Sequence, residues 1–442
     1  MTYDETLSYL FALEATRGWD LKLERVRAAL ERLGSPHLRY PSVLIAGTNG
    51  KGSTAAMVEA AERAAGRRVG FYSSPHLVNF TERIRVHGEE LARERVVRGV
   101  AEIRARIEPA QIALTFFEMA TVLAFRAFAE DEVELAVLEV GLGGRLDATN
   151  VAEPLVSAVT SIGFDHQEYL GSSLDAIARE KAGVMRAGRP VVLGAGLAEE
   201  ARAALLDEAR CKDACPVLTS PADVAGWPLG LLGEHMRGNA AVAVRVVRLA
   251  GTLAPELAVD EPTLRTSLAR VRWPGRLDVL GRDPLVICDG AHNREGVDAL
   301  VAALPGLLGG RKARLLFGAL RDKPWRDMAR ALRPFVTQAW LATVGGSRGV
   351  PAEELRAEFA REVPAETVAD PARTLARLYE ADRETPILIA GSLYLVGAVY
   401  ADLLERRHAH SVFALEPETR IRSSCVEGRG SQVDASQAGR SR

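Results

Sequence analysis

The run Gly47-Thr48-Asn49-Gly50-Lys51-Gly52-Ser53-Thr54 gathers a tight turn, a cation and hydroxyl groups at one place in the chain. A glycine-rich turn of this kind aims main-chain N–H groups at an anion, and the positive end of a following helix adds to the attraction. From such a turn Lys51 can reach terminal phosphates, and the Ser or Thr hydroxyls can help hold a metal ion. The strict GxxxxGK[ST] spacing is not met, because Gly52 follows Lys51 and position 45 is Ile. Apolar Val43–Ala46 precedes the run and a helical pattern from Ala55 to Ala65 follows it. That is the strand–turn–helix setting a phosphate loop requires.

Further reactive side chains also follow short apolar runs. Glu139 lies near the end of Leu135–Val140, where an ionised carboxylate needs a metal or a cationic partner. In a parallel sheet that strand end is also where ligands bind. The loop Gly143-Gly144-Arg145-Leu146-Asp147 then supplies one cation and one anion. His166 closes Thr160-Ser161-Ile162-Gly163-Phe164-Asp165-His166 and is either a hydrogen-bonded structural residue or a metal or phosphate contact. Mg²⁺ prefers oxygen donors, so a direct imidazole ligand would be unusual. Lys181 closes a helical stretch, where an exposed cation facing the helix dipole is the ordinary expectation. Asp289 precedes Gly290-Ala291-His292-Asn293 and either binds a ribose hydroxyl or caps the next helix.

The elements that must position these groups alternate between strands and helices, which predicts an α/β fold with mostly parallel sheets. Expected strands are Val43–Ala46, Arg68–Tyr72, Leu135–Val140, Leu155–Thr160 and Pro190–Leu193, separated by helices at Arg93–Ile107, Phe116–Ala129, Ser173–Met185 and Ala198–Ala209. A second series follows Trp273-Pro274-Gly275-Arg276, with strands Leu285–Cys288, Ala313–Phe317, Gln338–Ala342 and Pro386–Ala390. The expectation is a P-loop ATPase-like N-terminal domain over 1–271 and a smaller Rossmann-like α/β domain over 272–407. Residues 408–442, rich in Ser, Gly, Gln and Arg, are expected to be a disordered tail.

Composition agrees with two globular domains: the chain has 442 residues, 48% hydrophobic and 26% charged. A net charge of -2 argues against a general nucleic-acid or anionic-membrane binder. No apolar run approaches the ~18 residues of a membrane span, and the polar start does not resemble a signal peptide. Cys211, Cys215, Cys288 and Cys425 lack zinc-site spacing and fit a reducing cytoplasm.

Taken in order, the strings resemble the folate branch of the Mur ligase superfamily, the folylpolyglutamate synthase/dihydrofolate synthase family. They are GTNGKGST (47–54), SSPHL (73–77), TERIRV (81–86), LEVGLGGRLDATN (138–150), IGFDHQEYLG (162–171), EKAGV (180–184), WPGR (273–276), DGAHN (289–293) and GSLYLVG (391–397). The resemblance implies ATP-dependent amide ligation, in which a phosphorylated carboxylate is attacked by the amine of L-glutamate. The acceptor would be a folate, and dihydropteroate as well. It further implies that Asn49, Gly50, Lys51, Gly52 and Ser53 hold phosphate, that Ser74, Glu139 and His166 hold Mg²⁺, and that Lys181 is carbamylated. Asn239, Arg276 and Asp289 would contact nucleotide, and His292 would assist at the acyl phosphate.

Thr115, Phe116, Phe117 and Glu118 resemble the family's pteroate-contact segment, with Arg145 and Asp147 completing it. Phe117 would stack on the heterocycle or simply join the core. A monovalent cation is a further implied cofactor, and a monomer with small-molecule substrates only is the expected state. One departure stands out: the usual His-Gln-x-x-Asn reads His235-Met236-Arg237-Gly238-Asn239 here, so the Gln amide is lost. The alternatives are a UDP-muropeptide ligase, disfavoured because the phosphate loop begins by residue 47, and a non-catalytic ATP-binding module.

Overall fold

The computed structural model describes residues 1–17, 22–409 and 412. The expected tail therefore lies outside the described residues, apart from 408, 409 and 412. The first sheet contains β1 (Ser42–Ala46), β2 (Val69–Tyr72), β3 (Ile84–Val86), β4 (Glu89–Glu90), β5 (Leu135–Glu139), β6 (Val156–Val159), β7 (Pro190–Leu193) and β8 (Cys215–Leu218). Their order is β4-β3-β2-β5-β1-β6-β7-β8. All neighbours from β2 to β8 run parallel, while β3 and β4 fold back antiparallel at one edge.

The apolar runs form strands because both sheet faces are covered, as parallel strands require. Alternate residues go to opposite sides: Leu44, Ala46, Ala136 and Leu138 enter one core, and Val43, Ile45, Leu135 and Val137 the other. The second core is closed by helix His235–Leu253 packing along helix Lys51–Ala64. Nothing in the sequence reading placed a helix there. The helix expected from Ala55 instead starts at Lys51, so Lys51 itself stands in its first turn.

A second sheet holds β9 (Asp278–Arg282), β10 (Leu285–Asp289), β11 (Ala313–Phe317), β12 (Val336–Ala342), β13 (Ala365–Val368) and β14 (Ile387–Ala390). The order is β13-β12-β11-β14-β10-β9, parallel except for β9. Ile287, Leu315 and Leu388 face one core, and Val286, Leu316 and Ile387 the other. Among the described residues no helix is long and apolar enough to cross a membrane.

Candidate active site

Three adjacent parallel strands, β5, β1 and β6, deliver their C-terminal ends to one place. In open α/β sheets, such a crevice is where ligands bind. The phosphate loop leaves β1, Glu139 ends β5, and the segment from Thr160 to His166 leaves β6. Gly47 (φ 149) must be glycine, since a Cβ there would lie 1.9 Å from Thr160 Oγ1. Gly50 (φ 84) has the same constraint twice over: its backbone is left-handed, and a Cβ would lie 2.3 Å from Asn239 Oδ1. Hydrogen bonds from the β6 side hold the loop. Asn49 N–H donates to Ser161 Oγ at 2.9 Å, and Thr160 Oγ1 donates to the Asn49 carbonyl at 2.6 Å.

No side chain caps helix Lys51–Ala64, whose N-cap is Gly50. Its first N–H groups and the positive end of its dipole thus face the crevice. The Lys51 ammonium rests 3.1 Å from the carbonyls of Gly47 and Thr48. Burial lowers its pKa, with Glu139 pulling in the other direction. Glu139 is buried and accepts the Ser74 N–H at 3.2 Å. Desolvation raises its pKa, opposed chiefly by Lys51. A desolvated carboxylate of this kind gains most from a cation brought to it.

Lys181 departs from the exposed cation expected at a helix end. It is 4% exposed, and its ammonium donates to the Gly47 carbonyl at 2.8 Å. The reason lies in helix Leu174–Lys181, where Ile177, Ala178 and Lys181 share the buried face. The chain then tightens into a 3₁₀ turn, Ala182–Val184, and Arg145 pairs with Glu180 at 2.6 Å to cover the helix end. Burial, then repulsion from Lys51, pulls the Lys181 pKa down to about 7.

The second sheet faces this crevice with its own strand ends. Asp289 ends β10 and accepts the N–H groups of Leu277 and Ala291, each at 2.7 Å. Burial raises its pKa, with Arg276 the main opposing influence. His292 follows, its Nδ1 2.8 Å from the Gly290 carbonyl, and burial lowers its pKa to about 4. A cleft of about 590 Å³ separates the two sides, within the usual size of a small-molecule site. Asn49, Gly50, Lys51, Gly52, Ser53, Ser74, Glu139, His166, Lys181, Asn239, Arg276, Asp289 and His292 all line it.

Four of the six residues expected at the pterin end, Thr115, Phe117, Arg145 and Asp147, have partners of their own outside this lining. Thr115 is buried as the N-cap of helix Phe116–Glu130, in a capping box with Glu118. Phe117 is half-buried, its ring against Gly141 and 5.9 Å from that of Tyr72. Arg145 is exposed and paired with Glu180. Asp147 is buried and holds its own loop, accepting N–H groups from Gly141, Leu142 and Thr149. None of the four lines the cleft just described.

Sequence reasoning passed over Asp165, which lines the cleft, and Lys323, which reaches it from the loop after β11. Asp165 lies next to the candidate His166 and pairs with the Lys323 ammonium at 2.6 Å. Its pKa is held well below the usual carboxylate range by His166, Lys323 and His292, which together outweigh its desolvation. Lys323 follows β11, and a polar residue just past a parallel strand was the one available signal. No cluster of three or more His, Cys, Asp or Glu able to hold a metal occurs among the described residues. Cys211 and Cys215 are exposed and Cys288 is buried, all three as free thiols.

The Mur ligase middle domain matches residues 45–219, and the Mur ligase glutamate ligase domain matches 275–393. The dihydrofolate synthase/folylpolyglutamate synthase of Escherichia coli is 35% identical over 416 residues, spanning 91% of this chain and 95% of the relative. Its counterpart from Bacillus subtilis is 32% identical over 406 residues, spanning 85% and 94%. The structure of E. coli FolC in complex with DHPP and ADP matches with a TM-score of 0.82 at 34% identity, covering 91% of this chain and 98% of that one. The Yersinia pestis bifunctional enzyme complexed with AMPPNP and Mn matches at 0.80 and 33% identity, with coverage of 91% and 98%. With both domain models in sequence order and relatives aligned over nearly their full length, the chain belongs to the folylpolyglutamate synthase/dihydrofolate synthase family of Mur ligases.

Proposed function

We propose that this protein is an ATP-dependent ligase that adds L-glutamate to folates and to dihydropteroate through an acyl phosphate. The observation that carries the reading is the cleft itself. A phosphate loop and the buried Glu139 end one sheet, and Arg276, Asp289 and His292 end the other, across about 590 Å³. A carboxylate at neutral pH is a poor electrophile, and transfer of the γ-phosphoryl group converts it into a good one. The amine of glutamate then displaces phosphate. Such chemistry depends on positioning and charge neutralisation rather than on a protein nucleophile.

In this reading Asn49, Gly50, Lys51, Gly52 and Ser53 cradle the phosphates, with the Lys51 ammonium moving from its carbonyl partners to the β- and γ-oxygens. Asn239 and Asp289 hold the nucleoside, Arg276 braces the phosphates from the second domain, and His292 lies beside the acyl phosphate. Ser74, Glu139 and His166 suit Mg²⁺. The site offers one buried carboxylate, a hydroxyl and an imidazole rather than an all-protein cage, and Mg²⁺ ordinarily completes its shell with phosphate oxygens and water. When bound, the ion neutralises charge on the transferring group.

A near-neutral amine at Lys181 supports carbamylation, because the free amine is the form that attacks CO₂, forming an N–C bond and releasing a proton. Thr115, Phe117, Arg145 and Asp147 are assigned to the pterin end, where they shape the loops bordering the site. The proposed division is a first domain over 1–271 and a second over 272–407, in a cytoplasmic monomer acting only on small molecules. A monovalent cation is proposed as an accessory.

ADP release measured with L-glutamate plus tetrahydrofolate or dihydropteroate tests the reading. Dependence on both glutamate and the pterin is expected. Release that ignores glutamate removes the ligase assignment, and activity with tetrahydrofolate alone removes the dihydropteroate half.

A further inference from the structure

Asp165 and Lys323 lie on loops that leave different sheets; Asp165 falls in the 162–171 string beside His166, and Lys323 lies in none of the strings. Asp165 sits on the loop after β6, and its Oδ1 lies 2.6 Å from Lys323 Nζ. Both side chains are largely buried, at 13% and 9% exposure. Two more second-domain groups surround the same carboxylate: Asn293 Nδ2 at 3.4 Å and His292 Nε2 at 4.0 Å. Asn293 also exchanges amide hydrogen bonds with Asn49 of the phosphate loop, at 3.0 and 3.2 Å. Beside them, the Phe164 N–H donates to Glu295 Oε1 at 3.1 Å.

The two sides are thus joined at the cleft by polar contacts with defined partners. Lys323 is held for this task by local turns: its N–H donates to the Leu320 carbonyl, and its own carbonyl accepts the Trp325 N–H at 2.7 Å. A buried ion pair adds little net stability against an apolar contact, but removal of one partner leaves an uncompensated buried charge, so each half depends on the other. Asp165 Oδ1 also accepts the His166 N–H at 3.0 Å, so the pair that docks the second domain also sets the backbone of a cleft residue.

We infer that Lys323 is a positioning residue: its ion pair with Asp165 latches the second domain onto the loop after β6 and so brings Arg276 and His292 into register with the phosphate loop. The kinetic part of this inference rests on the ligase reading; the structural part does not. The test compares Lys323→Met, Lys323→Arg, Asp165→Asn and the exchanged pair Lys323→Asp/Asp165→Lys. Small-angle scattering with an ATP analogue, steady-state kinetics and thermal unfolding are recorded for each.

In Lys323→Met and Asp165→Asn the radius of gyration should rise and kcat should fall about tenfold or more, as small misplacements in such sites do. Lys323→Arg should stay compact, and the exchanged pair should recover compactness and part of kcat. Unchanged scattering in Lys323→Met overturns the latch, as does an effect confined to the KM for glutamate, which would mark Lys323 as a substrate contact. If Lys323→Met does not fold, failure of Lys323→Arg to keep the compact state overturns it equally.

Discussion

Lys181→Met separates what a buried lysine costs the fold from what it contributes to the site. In the unfolded chain the amine titrates at its ordinary 10.5, whereas the folded protein holds it at about 7. The unfolded state therefore binds more protons between these values, so the lysine opposes folding in that window. The penalty is full below pH 7, shrinks as pH rises, and is gone above 10.5. At pH 8 the folded amine is mostly neutral, and the unfolded chain gains about 3 kcal/mol by protonating its own. Methionine removes that penalty at similar volume. It also removes the donor to the Gly47 carbonyl, worth about 1 kcal/mol, although Lys51 still donates to the same oxygen.

The expected outcome is a variant about 2 kcal/mol more stable at pH 8, in CO₂-depleted buffer, with the advantage vanishing at pH ~10 and ligase turnover lost. Urea unfolding followed by tryptophan fluorescence across this range measures it. A destabilised variant, or an advantage that does not change with pH, refutes the assignment of a neutral amine. Adding bicarbonate should stabilise the unsubstituted protein alone, and no response would count against carbamylation.

Lys51→Ala should reduce kcat about a hundredfold or more, and because it takes from buried Glu139 its chief opposing cation it should also raise the Glu139 pKa further. Near-normal turnover would remove it from the phosphate site. Gly50→Ala places a side chain in a left-handed backbone, costing about 1–2 kcal/mol, and drives a Cβ against Asn239. Calorimetric titration should show weakened ATP-analogue binding, and wild-type affinity would show that the loop can rearrange. Glu139→Gln should raise the Mg²⁺ concentration needed for half-maximal turnover; an unaltered metal dependence contradicts its role as a ligand.

The parallel core was legible because strands buried on both faces appear as continuous apolar runs, and the residues after them could be marked as cleft candidates. The edges were not. Cys215–Leu218 is largely exposed and Ala365–Val368 partly so, which weakens their apolar signature, and the edge strand Glu89–Glu90 is two charged residues long. Of the site, the loop around Lys51 was readable because its chemistry is local: turn, cation and helix start are consecutive in the chain.

A phosphate loop and a carboxylate after buried strands, and a second α/β unit whose strands end in polar turns, are written in the order of the residues. The burial of Lys181 beside Gly47 and the reach of Lys323 to Asp165 arise from the folded arrangement alone. A lysine's pKa and its partner depend on burial and on neighbours more than a hundred residues away, which no local spacing encodes. The eight-residue run contains the means to hold phosphate; folding surrounds it with the groups that can direct the phosphate's transfer.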